Sequence, residues 1–369
     1  MTMQVLFAIG SNGSGQLGIG HKEDVSVPKP VLLPEETASP PPSITSIAGG
    51  GNHTLLLTSS GTLYWAGDPA PGACGPTQSS QLSAPPQFHP VDLSTVSSPV
   101  THIAATWEAS VIVVDGGRKV YTFGVGLKGE LGLGPLIMRT PVPSLVKDFP
   151  PAGRRVVDLA ASMAHTAVVL DDGSAWGWGA GRKGQLGGSP EASAVVDAPR
   201  RIEVRFPVAR VVCGKEFTCL FGAPEKGEFE VIGSEKWDIK TGAPAAGRIA
   251  DWEDVGAGWG NVFVLKGDEN VVSWGRNDHG QLTPEHLPQA ERIAVGSEHA
   301  LALTKEGDVM AWGWGEHGNC GPMPSGNGDA HQKGSAIAST KYVPAGAKIT
   351  VIGAGCATSW VGIDMPTPA

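Results

Sequence analysis

Between Ala164 and Gly187 the hydrophobic and polar positions specify two short strands and the turns that bound them. His165-Thr166 leads into the apolar run Ala167 to Leu170, and Asp171-Asp172-Gly173 interrupts it. Trp176 and Trp178 then alternate with small residues, and Gly184-Gln185-Leu186-Gly187 ends the unit. Apolar runs of this length bounded by Asp and Gly are strand signals, and the period of two sends the side chains of one strand to opposite faces. Degraded copies recur at residues 47–67, 103–134, 211–233, 255–282 and 293–321. Residues 5–18 match only the second half of the unit and residues 351–363 only the first.

Aligned on the histidine, the copies place anchors at 53, 109, 165, 217, 261, 299 and 358. Self-similarity with variable spacing between anchors predicts radially arranged four-stranded sheets whose loops absorb the length differences. The chain is therefore expected to be all-β, a seven-bladed β-propeller occupying residues 1–369 as a single domain. The split repeat has a mechanical reading: the N- and C-terminal halves share the closing blade, which fastens the ring and covers strand edges. The segment Pro324 to Lys341, rich in Gly and Ser, is expected to be a mobile loop.

Composition supports this picture. The chain has 52 Gly and 30 Pro, yet 41% hydrophobic residues and 11 Trp, so the Gly and Pro punctuate strands rather than mark disorder. A net charge of -9 argues against nucleic acid or anionic membrane as a partner and favours a basic protein surface. With no apolar signal sequence or spanning run in the chain, an intracellular protein is expected. Cys74, Cys213, Cys219, Cys320 and Cys356 are odd in number and scattered, which fits free thiols better than a disulfide framework or a zinc site.

Candidate chemistry is sparse. Gly124/Gly126/Gly129, Gly179/Gly181/Gly184 and Gly313/Gly315/Gly318 satisfy a dinucleotide-type spacing, but each leads into a β-type exit turn and not a helix. His53, His165 and His299 occupy equivalent positions in separate blades, so they are expected to bond a neighbouring strand and not to gather round a metal. No metalloprotease motif or nucleophile elbow occurs, so the chain is expected not to be an enzyme and to hold no metal or cofactor of its own.

The repeat stops being uniform two residues before each anchor, where Trp107, Lys215 and Trp259 stand, and one residue before, where Glu108, Glu216 and Glu298 stand. Around a ring these positions converge at one mouth of the central channel, either to cap it or to dock a partner. Trp is common at interface hot spots and an acidic surround steers a basic partner. Trp237 interrupts the degenerate fifth exit loop, where the Gly-Gln-Leu-Gly requirement has been abandoned, and joins the candidate contact residues. Arg276-Asn277-Asp278-His279 reads as a solvated exit loop.

Gly50/His53/Thr54, His165/Trp178/Gly179/Gln185/Leu186/Gly187, Trp274/Gly275/Asn277/Gln281 and Gly296/His299/Trp314/Gly315 resemble the repeats of the regulator of chromosome condensation family over nearly the whole chain. Within it, the opening Phe7 to Pro28 is similar to the fungal alpha-tubulin suppressor, or killer-toxin-insensitivity, propellers. That resemblance implies a cytoplasmic and nuclear, non-catalytic protein that forms a heterodimer with a small CSL-type zinc-ribbon electron carrier, with the metal on the partner. Through it the pair serves Elongator-dependent wobble-uridine modification of transfer RNA and diphthamide synthesis. The second reading is a guanine nucleotide exchange factor for a Ran-like GTPase. The plant ultraviolet photoreceptor of the superfamily carries Arg after its ring Trp, whereas Glu108 and Gly260 follow here.

Overall fold

In the computed structural model, residues 2–34, 42–188, 194–322 and 334–366 are described. Their strands form seven antiparallel sheets whose innermost strands surround one central cavity of about 370 Å3. Four four-stranded sheets run outward in sequence, as from Val156–Ser162 through His165–Leu170 and Ala175–Ala180 to Val195–Ile202. The closing blade is composite: Lys348–Ala354 pairs with Thr358–Pro366, which pairs with the N-terminal strand Thr2–Gly10, which pairs in turn with Val25–Pro30. The expected sharing of that blade between the two ends of the chain is therefore observed.

Every anchor is the first residue of the second strand of its blade: His53, Ala109, His165, Phe217, Asn261, His299 and Thr358. Opposite each stands a glycine at positive φ, such as Gly67 (116°), Gly179 (107°) and Gly313 (106°). A Cβ on Gly179 would sit 2.4 Å from the carbonyl oxygen of Ala164, so only glycine lets the third strand turn off here. In the closing blade this glycine is Gly10 (113°), supplied by the other end of the chain opposite Thr358.

The repeat histidines join adjacent blades. His53, His165 and His299 place Nε2 at 3.0, 3.0 and 2.9 Å from Ser110, Thr218 and Ser359 in the next blade. Those hydroxyls donate to the carbonyls of Ala73, Gln185 and Asn319, each at 2.7 Å, in the exit loop of the histidine's own blade. The hydroxyl hydrogen being committed, each histidine donates through Nε2–H. At three further blade-to-blade interfaces an indole does the stapling: Trp178, Trp274 and Trp312 donate Nε1–H to the carbonyls of Glu130, Ile239 and Gln281 in the preceding blade.

Three expectations need correcting. The fifth and sixth blades have three strands, not four. Beyond Phe229–Gly233 the chain forms the short helix Ala246–Ile249 instead, with Ile249 buried. Beyond Val271–Gly275 no strand pairs with the outer edge. The fifth exit loop has lost its Gly-Gln-Leu-Gly sequence but not the staple, because the Ile239 carbonyl accepts the Trp274 indole and the Ile239 side chain is buried. Finally, Ser335–Ser339 lies within the segment expected to be a mobile loop and is an outer strand, while 323–333 lie outside the described residues. All five cysteines are unpaired, and no described helix is long and apolar enough to cross a membrane.

Candidate functional site

The turns joining first and second strands lie at one mouth of the channel and are tied blade to blade through the backbone. Gly51 N–H donates to Trp107 O at 2.9 Å, Trp107 N–H to Met163 O at 2.8 Å, and Lys215 N–H to Trp259 O at 3.0 Å. Trp259 N–H donates to Ser297 O at 2.7 Å, and Ser297 N–H to Gly355 O at 3.0 Å. The positions expected from the anchors are therefore tied into a girdle of two hydrogen-bonded arcs, one through Gly51, Trp107 and Met163 and one through Lys215, Trp259, Ser297 and Gly355. Trp107 and Trp259, from opposite sides of it, bring their ring centroids to 6.1 Å and cap the mouth. A Cβ on Gly51 would come within 2.5 Å of the Trp107 ring, so the bare glycine is what admits the indole. Trp107 remains 38% exposed, and capping the channel leaves its outer face open for contact.

Beside this cap is a cavity of about 250 Å3 lined by Lys215, Glu216, Trp237, Trp259 and Glu298 together with Lys236 and Arg276. Five residues expected from the sequence to be contact positions thus meet in one place, although they lie in three separate repeats. The Lys215 ammonium stands 4.9 Å from the Trp259 ring centroid. Trp237 has a left-handed backbone (φ 67°), and the Lys236 ammonium and Arg276 guanidinium stand at 4.8 and 4.9 Å from its ring. Cations over indole faces hold the rings in place while leaving their edges free. Arg276 also approaches the Trp314 ring at 5.8 Å, and His279 stacks on Trp314 at 4.3 Å.

Arg276 organises the cluster. Its guanidinium bonds Asp278 at 2.6 and 3.0 Å and also pairs with Glu298. Gln281 Nε2 donates to Asp278 and Glu298 at 3.0 and 3.2 Å. Burial pushes the Glu298 carboxyl upward, and the Arg276 charge and Gln281 hydrogen bond oppose that shift. Only 7% of Glu298 is exposed. Both its oxygens are engaged from within, so it is corrected from a contact residue to the underpinning of Arg276. The expected acidic ring is corrected with it: Lys215 and Lys236 share the cavity with Glu216, and the local charge is mixed. Glu108 is exposed on the same girdle but outside the cavity lining.

Two members of the cluster were hidden in the sequence. Arg276, expected in a solvated loop, has a side chain only 16% exposed at the centre of the cluster. Trp314 follows the strand-ending Gly313 and is 38% exposed, while its neighbour Trp312 is fully buried. A signal was present: the residue after each strand-ending glycine is Ser11, Asp68, Val125, Ala180, Ser234, Arg276 and Trp314 around the ring. Its backbone N–H bonds the residue before the anchor, as Trp314 does to Glu298 O at 2.9 Å, so its side chain points over this mouth.

Residues 5–361 match the family model described as RCC1-like domain. An RCC1 repeat-containing protein of Schizosaccharomyces pombe is 31% identical over 98% of this chain and 99% of its own length. The mouse secretion-regulating guanine nucleotide exchange factor is 25% identical over 81% of this chain but 65% of its own length. Among solved structures, that of Prp20p from Saccharomyces cerevisiae superposes with a TM-score of 0.79 at 20% identity, covering 99% of this chain and 92% of that one. The chain belongs to the RCC1-like domain family.

Proposed function

We propose that this RCC1-like propeller is a non-catalytic docking ring whose working surface is the channel mouth bearing Trp107, Trp259, Trp237 and Trp314. The observation that carries the reading is the convergence of three repeats on one cavity whose half-buried Trp259 and exposed Trp237 are held by Lys215, Lys236 and Arg276. Rigid aromatic anchors on a stiff scaffold lose little entropy on binding, which is what a hot spot requires. The partner we propose is a small CSL-type zinc-ribbon electron carrier, bound as a heterodimer with the metal on the ribbon. The pair would support Elongator-dependent wobble-uridine modification and diphthamide synthesis in cytoplasm and nucleus. Support for that partner is the likeness of Phe7 to Pro28 to the killer-toxin-insensitivity propellers.

Co-expression with the ribbon protein followed by light scattering tests it, with a complex of equal stoichiometry expected. Absence of a complex at micromolar concentration discards the partner. Replacing Trp259 and Trp237 by Ala is expected to weaken the complex by about 2 kcal/mol or more while the ring stays folded. An unchanged affinity discards the face. The exchange-factor reading is kept because the mouse relative is named for that activity. It requires accelerated release of labelled GDP from a Ran-like GTPase, and a flat trace removes it.

A further inference from the structure

A second surface stands on the same side of the disc, at the rim of the third and fourth blades. After the strand Lys119–Val125 the exit loop presents Leu127, Leu136, Ile137 and Met138, which are 69, 94, 44 and 54% exposed. They form one patch: Gly126 N–H donates to Met138 O at 2.9 Å, bringing the two ends of the loop together beneath the apolar tip. Gly129 in this loop packs on the next blade, where a Cβ would lie 3.1 Å from Val195 Cγ1, and Val195 is itself 52% exposed. Val195 pairs with Ala180, which leads to the exposed Arg182 and Lys183.

The rim of the patch is cationic. Lys128, Arg182 and Lys183 are exposed and have no carboxylate ion-pair partner among the described residues, although the chain as a whole carries a net charge of -9. The acidic residue of the loop, Glu130, is buried and accepts the Lys128 backbone N–H at 2.6 Å, and burial raises its proton affinity while the Lys128 charge opposes that shift. Grouped aliphatic side chains bordered by unpaired cations are complementary to an amphipathic segment with acidic residues on its polar face.

We propose that this rim binds a short amphipathic acidic helix of a partner protein, its apolar face on Leu136, Ile137 and Met138 and its carboxylates towards Lys128, Arg182 and Lys183. A protein segment is favoured over an anionic bilayer because a bilayer must approach the whole disc, whose net charge repels it. A short helix meets only the local positive field, within a Debye length of about 8 Å. This site is distinct from the Trp cluster, so its fate does not depend on the reading proposed above.

The probe is a fluorescently labelled synthetic helix with Leu on one face and Glu on the other, titrated with the full chain and followed by anisotropy. Saturable binding that weakens with salt is expected, with at least about a tenfold loss in L136S/I137S/M138S and in K128E/R182E/K183E. W259A is expected to bind the probe unchanged, which separates failure here from failure of the Trp face. All substituted side chains are exposed, and thermal melts confirm that the variants fold. Absence of binding, equal binding by the patch variants, or equal binding of a Lys-faced control helix overturns the proposal. Binding to phosphatidylserine vesicles but not to the acidic helix overturns it in favour of a membrane.

Discussion

Single residues in this ring act across blade boundaries, and the buried histidines show it most clearly. Burial lowers the proton affinity of His53, His165 and His299 from 6.5 to about 4, so each is neutral in the fold and donates from Nε2 to the next blade. Because the folded value lies below the unfolded one, their contribution is complete above about pH 6.5 and is lost as pH falls towards 4. Within that window each histidine is expected to add a slope of about 1.4 kcal/mol per pH unit. Burial raises the proton affinity of Glu130 and Asp158, which act in the opposite sense, so the histidine share must be isolated by substitution. Urea unfolding from pH 7 to 4.5 should show a shallower slope in His165→Gln, whose amide can still donate to Thr218. An unchanged slope would exclude the histidine. Arg276→Ala strands the buried Glu298 without its cation and is expected to cost about 3 kcal/mol, with Glu298→Gln restoring part of it in the double variant. Additive losses in that double-variant cycle would show that the pair is not coupled.

The unit of construction is a hairpin whose second strand opens on the anchor and whose third carries, opposite it, a glycine at positive φ. That much was readable from the chain, because seven approximate repetitions average out the accidents of any one copy. The anchors fell on the first residue of every second strand even where histidine is replaced by Ala109, Phe217 or Asn261. Less was readable about the outer strands, which repeat poorly, and about the fifth exit loop, where Ile239 keeps the staple in an unrelated sequence. Arg276 and Trp314 escaped notice because their environment is made by neighbouring blades and not by their own hairpin. That glycine should tolerate no side chain: Gly179→Ala combines a positive φ with a close approach to the Ala164 carbonyl. A loss of about 3 kcal/mol is expected in chemical denaturation. Gly184→Ala, where the nearest atom to a Cβ is 4.0 Å away, provides the comparison of positive φ without the clash and should cost about 1 kcal/mol. Equal losses at the two sites would show that the clash adds nothing.

At the scale of the molecule, closure makes a row of small sheets into one body. Each blade buries its faces only against its neighbours, so the ring has no core independent of its last interface. That interface is secured by the pairing of Thr2–Gly10 with Thr358–Pro366, in unbroken register from Thr2 opposite Pro366 to Gly10 opposite Thr358. The N-terminal strand also buries Leu6 and Ala8 in one hydrophobic cluster and Ile9 in another, so it holds the blades on both sides of the seam. It further supplies the glycine that its blade would otherwise lack. Removing residues 2–10 should therefore cost more than the local pairing, because both flanking interfaces lose their wall and the edge of Thr358–Pro366 is left open to other chains. The expected result is a melting temperature lowered by roughly 10 °C or more, together with concentration-dependent association in light scattering. A synthetic peptide of residues 1–10 added in trans should occupy the vacant place and recover much of the loss, since the seam relies on strand pairing and burial and not on a covalent link. A truncated chain that melts and scatters like the intact one would mean that the other blades close the ring without the shared strand.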